Sequence, residues 1–339
     1  MTDRKQKDFP FPAFWNGKPY YSLDAYLKNT YGEKLYKIAL NAGLTCPNRD
    51  GRIDTRGCLF CSKGGSGDFA ASLASAKDFK TGFLEGKERL AKKYTGSRFI
   101  AYFQAYTNTY GPLSYLESIY RTALSDDAVA GISIATRPDC LPKAILSLLK
   151  KLKEDYPDKF IWIELGLQTT NEQTAAFIRR GYPLSCFEDA LASLNALSLP
   201  VVVHLILGLP GDTKDDMLST VSYLNSLPVW GVKLQLLHIL EGTDLAELYR
   251  KAPEKICIFP KRDDYLTLLI DCIEHFRPDI VLHRVTGDAP RTILLAPLWS
   301  GNKRDVLNAL HKQMKQRSAF QGRLYTERTI PHARASYSL

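Results

Sequence analysis

A chain of 339 residues, 45% of them apolar, is long enough for one large barrel-like domain or two ordinary ones and has an ordinary globular composition. No run approaches the roughly 20 apolar residues of a membrane-spanning helix, and the start Met-Thr-Asp-Arg-Lys-Gln-Lys-Asp has no apolar signal core, so a cytoplasmic protein without membrane association is expected. Seven cysteines, three bunched and four scattered, do not form a disulfide framework, and the formal charge of +9 suits either a polyanionic partner such as RNA or a merely solvated basic surface.

Residues 1–33 contain Phe9-Pro-Phe-Pro-Ala-Phe-Trp, which cannot be a regular helix and is expected to be an irregular cover. From residue 34 short apolar runs alternate with amphipathic ones, the mark of βα units. Strands are predicted at 34–41, 98–104, 129–134, 160–165, 201–207 and 232–237. Helices are predicted at 78–93, 112–124, 141–156, 171–179, 184–197 and 213–227, with Asn171 as a cap. The run 201–207 is nearly all apolar, as befits a strand buried on both faces. Six units end by about residue 250, and periodicity alone leaves a barrel and an open sheet equally open. Residues 251–315 form an extension with helices at 262–276 and 302–315 and a short strand at 280–283. Residues 316–339 are polar and basic, as a disordered tail would be.

The densest chemistry lies just after the first strand. Eleven residues separate Cys46 from Cys58, and two separate Cys58 from Cys61. The segment holds no histidine and no fourth cysteine; Cys140 and Cys186 are far along the chain. Three thiolates suit a [4Fe-4S] cluster with one iron left for a non-protein ligand, whereas zinc would need a distant fourth ligand.

Together with Tyr102-Phe-Gln-Ala-Tyr-Thr-Asn-Thr-Tyr-Gly, Ala135-Thr-Arg-Pro-Asp, Glu164-Leu-Gly-Leu-Gln-Thr, Leu207-Gly-Leu-Pro-Gly and Val285-Thr-Gly-Asp-Ala-Pro-Arg, these cysteines give a pattern that resembles the radical S-adenosylmethionine enzymes. Within that superfamily it is similar to the bacterial group related to the catalytic subunit of Elongator. The common signature has three residues between its first two cysteines; the eleven here are the spread form of that group. The resemblance covers about residues 10–312. It implies an α/β fold, a partial (βα)6 barrel with a C-terminal helical and short-strand extension. It also implies one [4Fe-4S] cluster held by Cys46, Cys58 and Cys61, with S-adenosylmethionine as cosubstrate. The site then lies at the C-terminal ends of the strands.

On that resemblance, Gln104, Tyr106, Thr107 and Asn108 hold the position that faces the cosubstrate's amino group, although the Gly-Gly-Glu of many relatives is absent. Glu164 is placed to take ribose hydroxyls, Arg180 or its neighbour Arg179 to pair with the carboxylate, and the loop at Gly208 to lie by the adenine. Each of these charged residues also has a plain reading as an ion pair holding helix to sheet. Arg137 is a candidate for an anionic substrate group or for a structural pair with Asp139. Lys233 and Gln235, two apart on one strand and so on one face, suggest a wet cavity. Arg284 in Leu282-His-Arg-Val-Thr-Gly-Asp is a further substrate candidate, and His204 sits in an apolar strand where a satisfied core histidine is as plausible a reading. The group's implied reaction removes the carboxymethyl group from the wobble 5-carboxymethylaminomethyl-(2-thio)uridine of tRNA, leaving the aminomethyl form. A low-potential donor such as flavodoxin or ferredoxin would supply electrons, and a methyltransferase would act next. Other radical modification of RNA or of a small metabolite, and a non-catalytic metal-bearing RNA-binding protein, are the competing readings.

Overall fold

The protein is described here from a computed structural model that covers residues 11–65, 67–73, 78–90 and 96–326. The chain opens with a helix that the sequence did not announce, α1 (Leu23–Tyr31), capped by Ser22, whose hydroxyl accepts from the Ala25 N–H. Then come β1 (Tyr36–Asn41), a short β2 (Ala71–Ser72), α2 (Phe79–Leu90), β3 (Phe99–Phe103), α3 (Leu113–Leu124), β4 (Val129–Thr136), α4 (Lys143–Asp155), β5 (Phe160–Gln168), α5 (Glu172–Phe177), α6 (Leu184–Ala196), β6 (Val201–Leu207), α7 (Lys214–Asn225) and β7 (Gly231–Leu236). Beyond them lie β8 (Ile239–Leu240), α8 (Asp244–Lys251), α9 (Pro253–Ile256), α10 (Arg262–His275), β9 (Val281–Arg284), β10 (Leu294–Ala296) and α11 (Lys303–Gln316). Most predicted ends move by one or two residues because the terminal residue is a cap. Asn171 caps α5, and Thr213 caps α7 in a reciprocal box with Asp216. The end of the helix predicted at 78–93 falls partly outside the described residues.

Eight strands form one sheet in the order β2-β1-β3-β4-β5-β6-β7-β9, with every neighbouring pair parallel. The six central strands follow chain order, as a (βα)6 barrel requires. The short strand expected in the C-terminal extension is β9, and it joins this sheet beside β7; a separate antiparallel pair joins β8 to β10.

Alternation divides the side chains of each strand. Phe99, Ala101 and Phe103, with their counterparts Ile132, Ile134, Ile161, Ile163, Val201 and Val203, pack under the helices in the main core. The opposite parity builds a second core at the strands' N-terminal ends: Ile100, Ala130, Phe160, Trp162, Val202, Trp230 and Val281, closed by Tyr26 and Leu27 of α1. Thus part of the expected irregular cover is an ordered plug. Residues 317–326 also pack on this end. Buried Gln321 accepts from the Tyr21 N–H (2.9 Å) and donates to the carbonyls of Arg277 (2.7 Å) and Ile280 (2.8 Å), joining the segment after α11 to the segment before α1.

Candidate active site

The eleven residues between Cys46 and Cys58 fold back on themselves. The Cys46 carbonyl accepts from the N–H groups of Arg49 (2.8 Å) and Asp50 (3.2 Å), the Pro47 carbonyl from Ile53 (2.9 Å), and the Asn48 carbonyl from Gly57 (2.7 Å). That last bond returns the chain to Cys58, and the Cys61 N–H then bonds the Cys58 carbonyl (3.0 Å) in a tight turn. Gly57 has φ +79°, and a Cβ there would lie 2.9 Å from the Arg49 Nε, so glycine is required where the loop closes. The Arg49 guanidinium donates to the carbonyls of Cys61 and Ser62, both at 2.8 Å, and fastens the second half of the loop to the first.

All three cysteines line one cavity of about 260 Å³ over the strands' C-terminal ends; Cys140, Cys186, Cys257 and Cys272 do not. Among the described residues no three Cys, His, Asp or Glu side chains gather closely enough to share a single metal ion. A cubic cluster takes its protein ligands from separate corners, so three thiols spread around a cavity fit it better than they fit zinc. Burial pushes the Cys58 thiol up to about 12, with Cys61 adding to it, and burial likewise raises Cys61. Arg137 opposes this at Cys58 and Arg49 at Cys61 without reversing it, and the thiols become thiolates when a metal supplies further positive charge. Asn48 already points an N–H at the Cys58 Sγ (3.4 Å), and its other amide atom, Oδ1, is buried without a hydrogen-bond partner among the described residues. The residues present therefore fit a cluster.

Inward-facing side chains one layer above the aromatic plug form a polar floor. Fully buried Glu164 accepts at Oε1 from Lys37 (2.6 Å) and Ser133 (2.6 Å), and at Oε2 from His204 (2.7 Å) and Lys233. Lys233 also reaches the Tyr102 hydroxyl (3.0 Å). Burial works against ionisation of Glu164, but Lys233 and Lys37 hold its carboxyl well below the usual range. Burial drives His204 down to about 4, with Lys233 adding to it, so the ring is neutral and its Nε2–H donates. Burial also lowers both lysines, and Lys233 strongly. His283 lies below, ring centroids 5.5 Å from Trp162 and 4.7 Å from Trp230, with both nitrogens buried and without hydrogen-bond partners among the described residues.

The structure brings most of the residues singled out from sequence to this cavity: Gln104, Tyr106, Thr107, Arg137, Glu164, Arg180, Lys233, Gln235 and Arg284 all line it with the cysteines. Their engagements differ. Arg180 is 2% exposed and its fork is taken up: Nε by the Tyr182 carbonyl (3.0 Å), one terminal nitrogen by the carbonyls of Thr169 (2.8 Å) and Leu167 (3.3 Å), the other by Glu172 (2.6 Å). Arg179 bonds the Gly57 carbonyl and Asp244. Arg137 makes a two-pronged pair with Asp139 (2.9 and 2.7 Å) and donates to the Arg180 carbonyl (3.0 Å). The ring of Tyr182 carries the Arg137 guanidinium at 4.9 Å and that of Arg180 at 5.1 Å.

Asn108 and Gly208 are not on this cavity. The Asn108 amide is buried against the carbonyls of Ala105 (3.1 Å) and Ala135 (3.0 Å), where it shapes the loop after β3. Gly208, at φ +86°, faces a small apolar pocket beside Phe259. Gln104 and Gln235 make no side-chain hydrogen bond among the described residues. Sequence reading missed Lys37, Ser133, Asn48 and Arg49. Lys37 carried a usable signal: it is a lysine at an inward position of an otherwise apolar strand.

A sheet of parallel strands with a cysteine loop after the first, over a polar cavity at the strand ends, has a counterpart among known sequences. The profile of the Radical SAM superfamily matches residues 51–224, and that of the Radical_SAM C-terminal domain matches residues 229–316. The chain belongs to the radical SAM superfamily of enzymes, whose [4Fe-4S] cluster and S-adenosylmethionine are its cofactors. It is 40% identical over 316 residues to "Uncharacterized protein YtqA" of Bacillus subtilis (strain 168), covering 93% of this chain and 96% of that one. It is 26% identical over 212 residues to a tRNA uridine(34) acetyltransferase of Dehalococcoides mccartyi, covering 60% of this chain and 44% of that one. In fold it is similar to the archaeal Methanocaldococcus infernus Elp3 with its N-terminus (1–46) deleted, at a TM-score of 0.61 and 15% identity, over 85% of this chain and 64% of that one. The chain thus spans less than two thirds of either of the last two proteins. Among the described residues no helix is long and apolar enough to cross a membrane.

Proposed function

We propose that this radical SAM enzyme acts on the wobble uridine of tRNA, removing the carboxymethyl group from 5-carboxymethylaminomethyl-(2-thio)uridine and leaving the aminomethyl base. The observation that carries this reading is the cavity. Its thiols come from the loop after β1, its strand β9 at the far edge of the sheet brings the cation Arg284, and a charged floor closes it below. A base bearing a short acidic side chain matches such a space. The similarity to a tRNA uridine(34) acetyltransferase and the Elp3-like fold support the same substrate.

When bound, the cluster and S-adenosylmethionine would supply a 5′-deoxyadenosyl radical that takes a hydrogen atom from the carboxymethyl methylene beside nitrogen; return of one electron from that carbon to the cluster would leave an iminium, and water added after the radical stage would release the two carbons as glyoxylate and leave the amine. Cys46, Cys58 and Cys61 would hold the cluster. The loop Gln104, Tyr106 and Thr107, shaped by Asn108, borders the cosubstrate. Arg180 and Arg137 fix the wall around Tyr182, and the Gly208 turn supports the rim from behind. Glu164 anchors the floor through Lys37, Lys233 and His204. The rings of Tyr102, Tyr106 and Tyr182 exclude water, which this chemistry requires. Gln235, Lys233 and Arg284 meet the base or its side chain, and the base flips out of the anticodon stack to reach them. A low-potential electron carrier such as flavodoxin or ferredoxin would serve the cluster, and a methyltransferase would take the product.

Nucleoside mass spectrometry of tRNA from a strain lacking the gene tests the proposal. The expected result is accumulation of the carboxymethylaminomethyl base and loss of the methylaminomethyl one. An unchanged profile, in an organism that carries the mature base and has no second enzyme for the step, overturns it and moves the substrate to another RNA site or a small metabolite.

A further inference from the structure

Charge is distributed unevenly over the cavity. Arg137 has Asp139 and Arg180 has Glu172, so the arginines of that wall are matched. On the β7–β9 flank the cations are in excess. Lys233 of β7 shares the single carboxylate of Glu164 with Lys37 of β1, and Arg284 of β9 shares Asp288 with Lys303. The Asp288 pairs are unequal. Lys303, from the start of α11, holds the carboxylate oxygen at 2.6 Å with a hydrogen bond, whereas Arg284 stands 3.4 Å from the same oxygen and makes no hydrogen bond among the described residues. A half-exposed guanidinium with five donors and no good acceptor, on the wall of a cavity, is a vacant fork. Gln235 lines the cavity beside it, also without a side-chain partner among the described residues, and Lys233 points to the same face from two residues earlier on β7.

We infer that the β7–β9 flank is an oxyanion seat, where a carboxylate or phosphate group of the substrate binds Arg284 with Gln235 beside it and Lys233 below. Lys303 keeps Asp288 occupied and so leaves Arg284 free; it is a positioning residue. A planar fork binds both oxyanions through paired N–H···O bonds. The carboxylate form rests on the wobble-uridine reading, the seat itself does not.

Binding of acetate and of inorganic phosphate to the cluster-loaded protein, followed by ligand-observed NMR, reads the seat directly. Arg284→Gln should weaken binding of one of the two anions by about tenfold or more, and which anion responds identifies the group. Arg284→Lys should fall between. Lys303→Ala should weaken the same anion through competition from Asp288, and Lys303→Arg should restore it, a rescue that a general loss of folding would not show. Affinity for S-adenosylmethionine should be unchanged in Arg284→Gln. If neither anion is weakened, or if S-adenosylmethionine affinity falls tenfold instead, the seat is overturned. A second arm uses anticodon stem-loop RNA carrying the wobble base as the free acid or as its methyl ester. Preference of the wild type for the acid, lost in Arg284→Gln, supports seat and reading together. If the small anions depend on Arg284 but the wild type binds both RNAs alike, the wobble-uridine reading fails and the seat stands.

Discussion

The floor of the barrel and the cysteine loop above it are both buried and both chemically charged, yet they are finished to different degrees. On the floor, each oxygen of Glu164 meets two donors supplied by the chain. In the loop, the backbone is closely bonded, but burial raises Cys58 and Cys61 by more than the nearby Arg137 and Arg49 guanidiniums lower them. The floor is complete as folded, whereas the loop is built around something the polypeptide does not provide. Pre-paired groups of the first kind hold shape, and unfinished groups of the second kind bind. The same distinction separates Arg180, saturated by carbonyls and Glu172, from Arg284, which among the described residues has only a long ion pair.

Removal of a thiol should break the comparison most completely. Cys58→Ala should bring iron and acid-labile sulfide down to background after anaerobic reconstitution, while circular dichroism shows the fold intact; full cluster content in that variant would remove the loop from the site. On the floor the effect should fall on stability. Glu164→Ala leaves buried Lys233 and partly buried Lys37 facing no carboxylate and should cost about 3–5 kcal/mol, read from urea unfolding. A change below about 1 kcal/mol would mean that water or backbone groups replace the carboxylate.

A pH titration sharpens the contrast further. His204 is held neutral, lowered from 6.5 to about 4 by burial. The unfolded chain therefore takes up its proton first as pH falls. The stabilisation is complete above pH 6.5 and is lost between there and about pH 4, amounting to about 3 kcal/mol. His238 is lowered to about 4 in the same way, so His204→Gln should reduce the slope of unfolding free energy against pH without flattening it. An unchanged slope would show that His204 is not held neutral in the fold.

The βα alternation was readable because each strand carries it in a few consecutive residues; Val201–Leu207 could hardly be anything else. The three cysteines were readable because their spacing is local. What sequence could not convey was occupancy. Arg180 looks like a free cation until the fold, with Arg179 at φ +58° before it, brings the carbonyls of Leu167, Thr169 and Tyr182 to its fork. Lys37 and Glu164 lie 127 residues apart, and only sheet order places β1 and β5 so that both side chains enter one interior. The short strand β9 was readable, but not its place beside β7 in the main sheet. Helix α1 was hidden because it follows a proline-rich opening that drew attention from the capping serine.

Gln321 has a consequence for how the molecule is made. Its side chain holds the backbone of Tyr21 and the turn before β9, so the fastener at the base of the barrel is translated after every strand it secures. A growing chain emerges with α1 and the early strands ready but without the residue that locks them. The latch closes only after the whole sheet has been made, and the cysteine loop has emerged long before it.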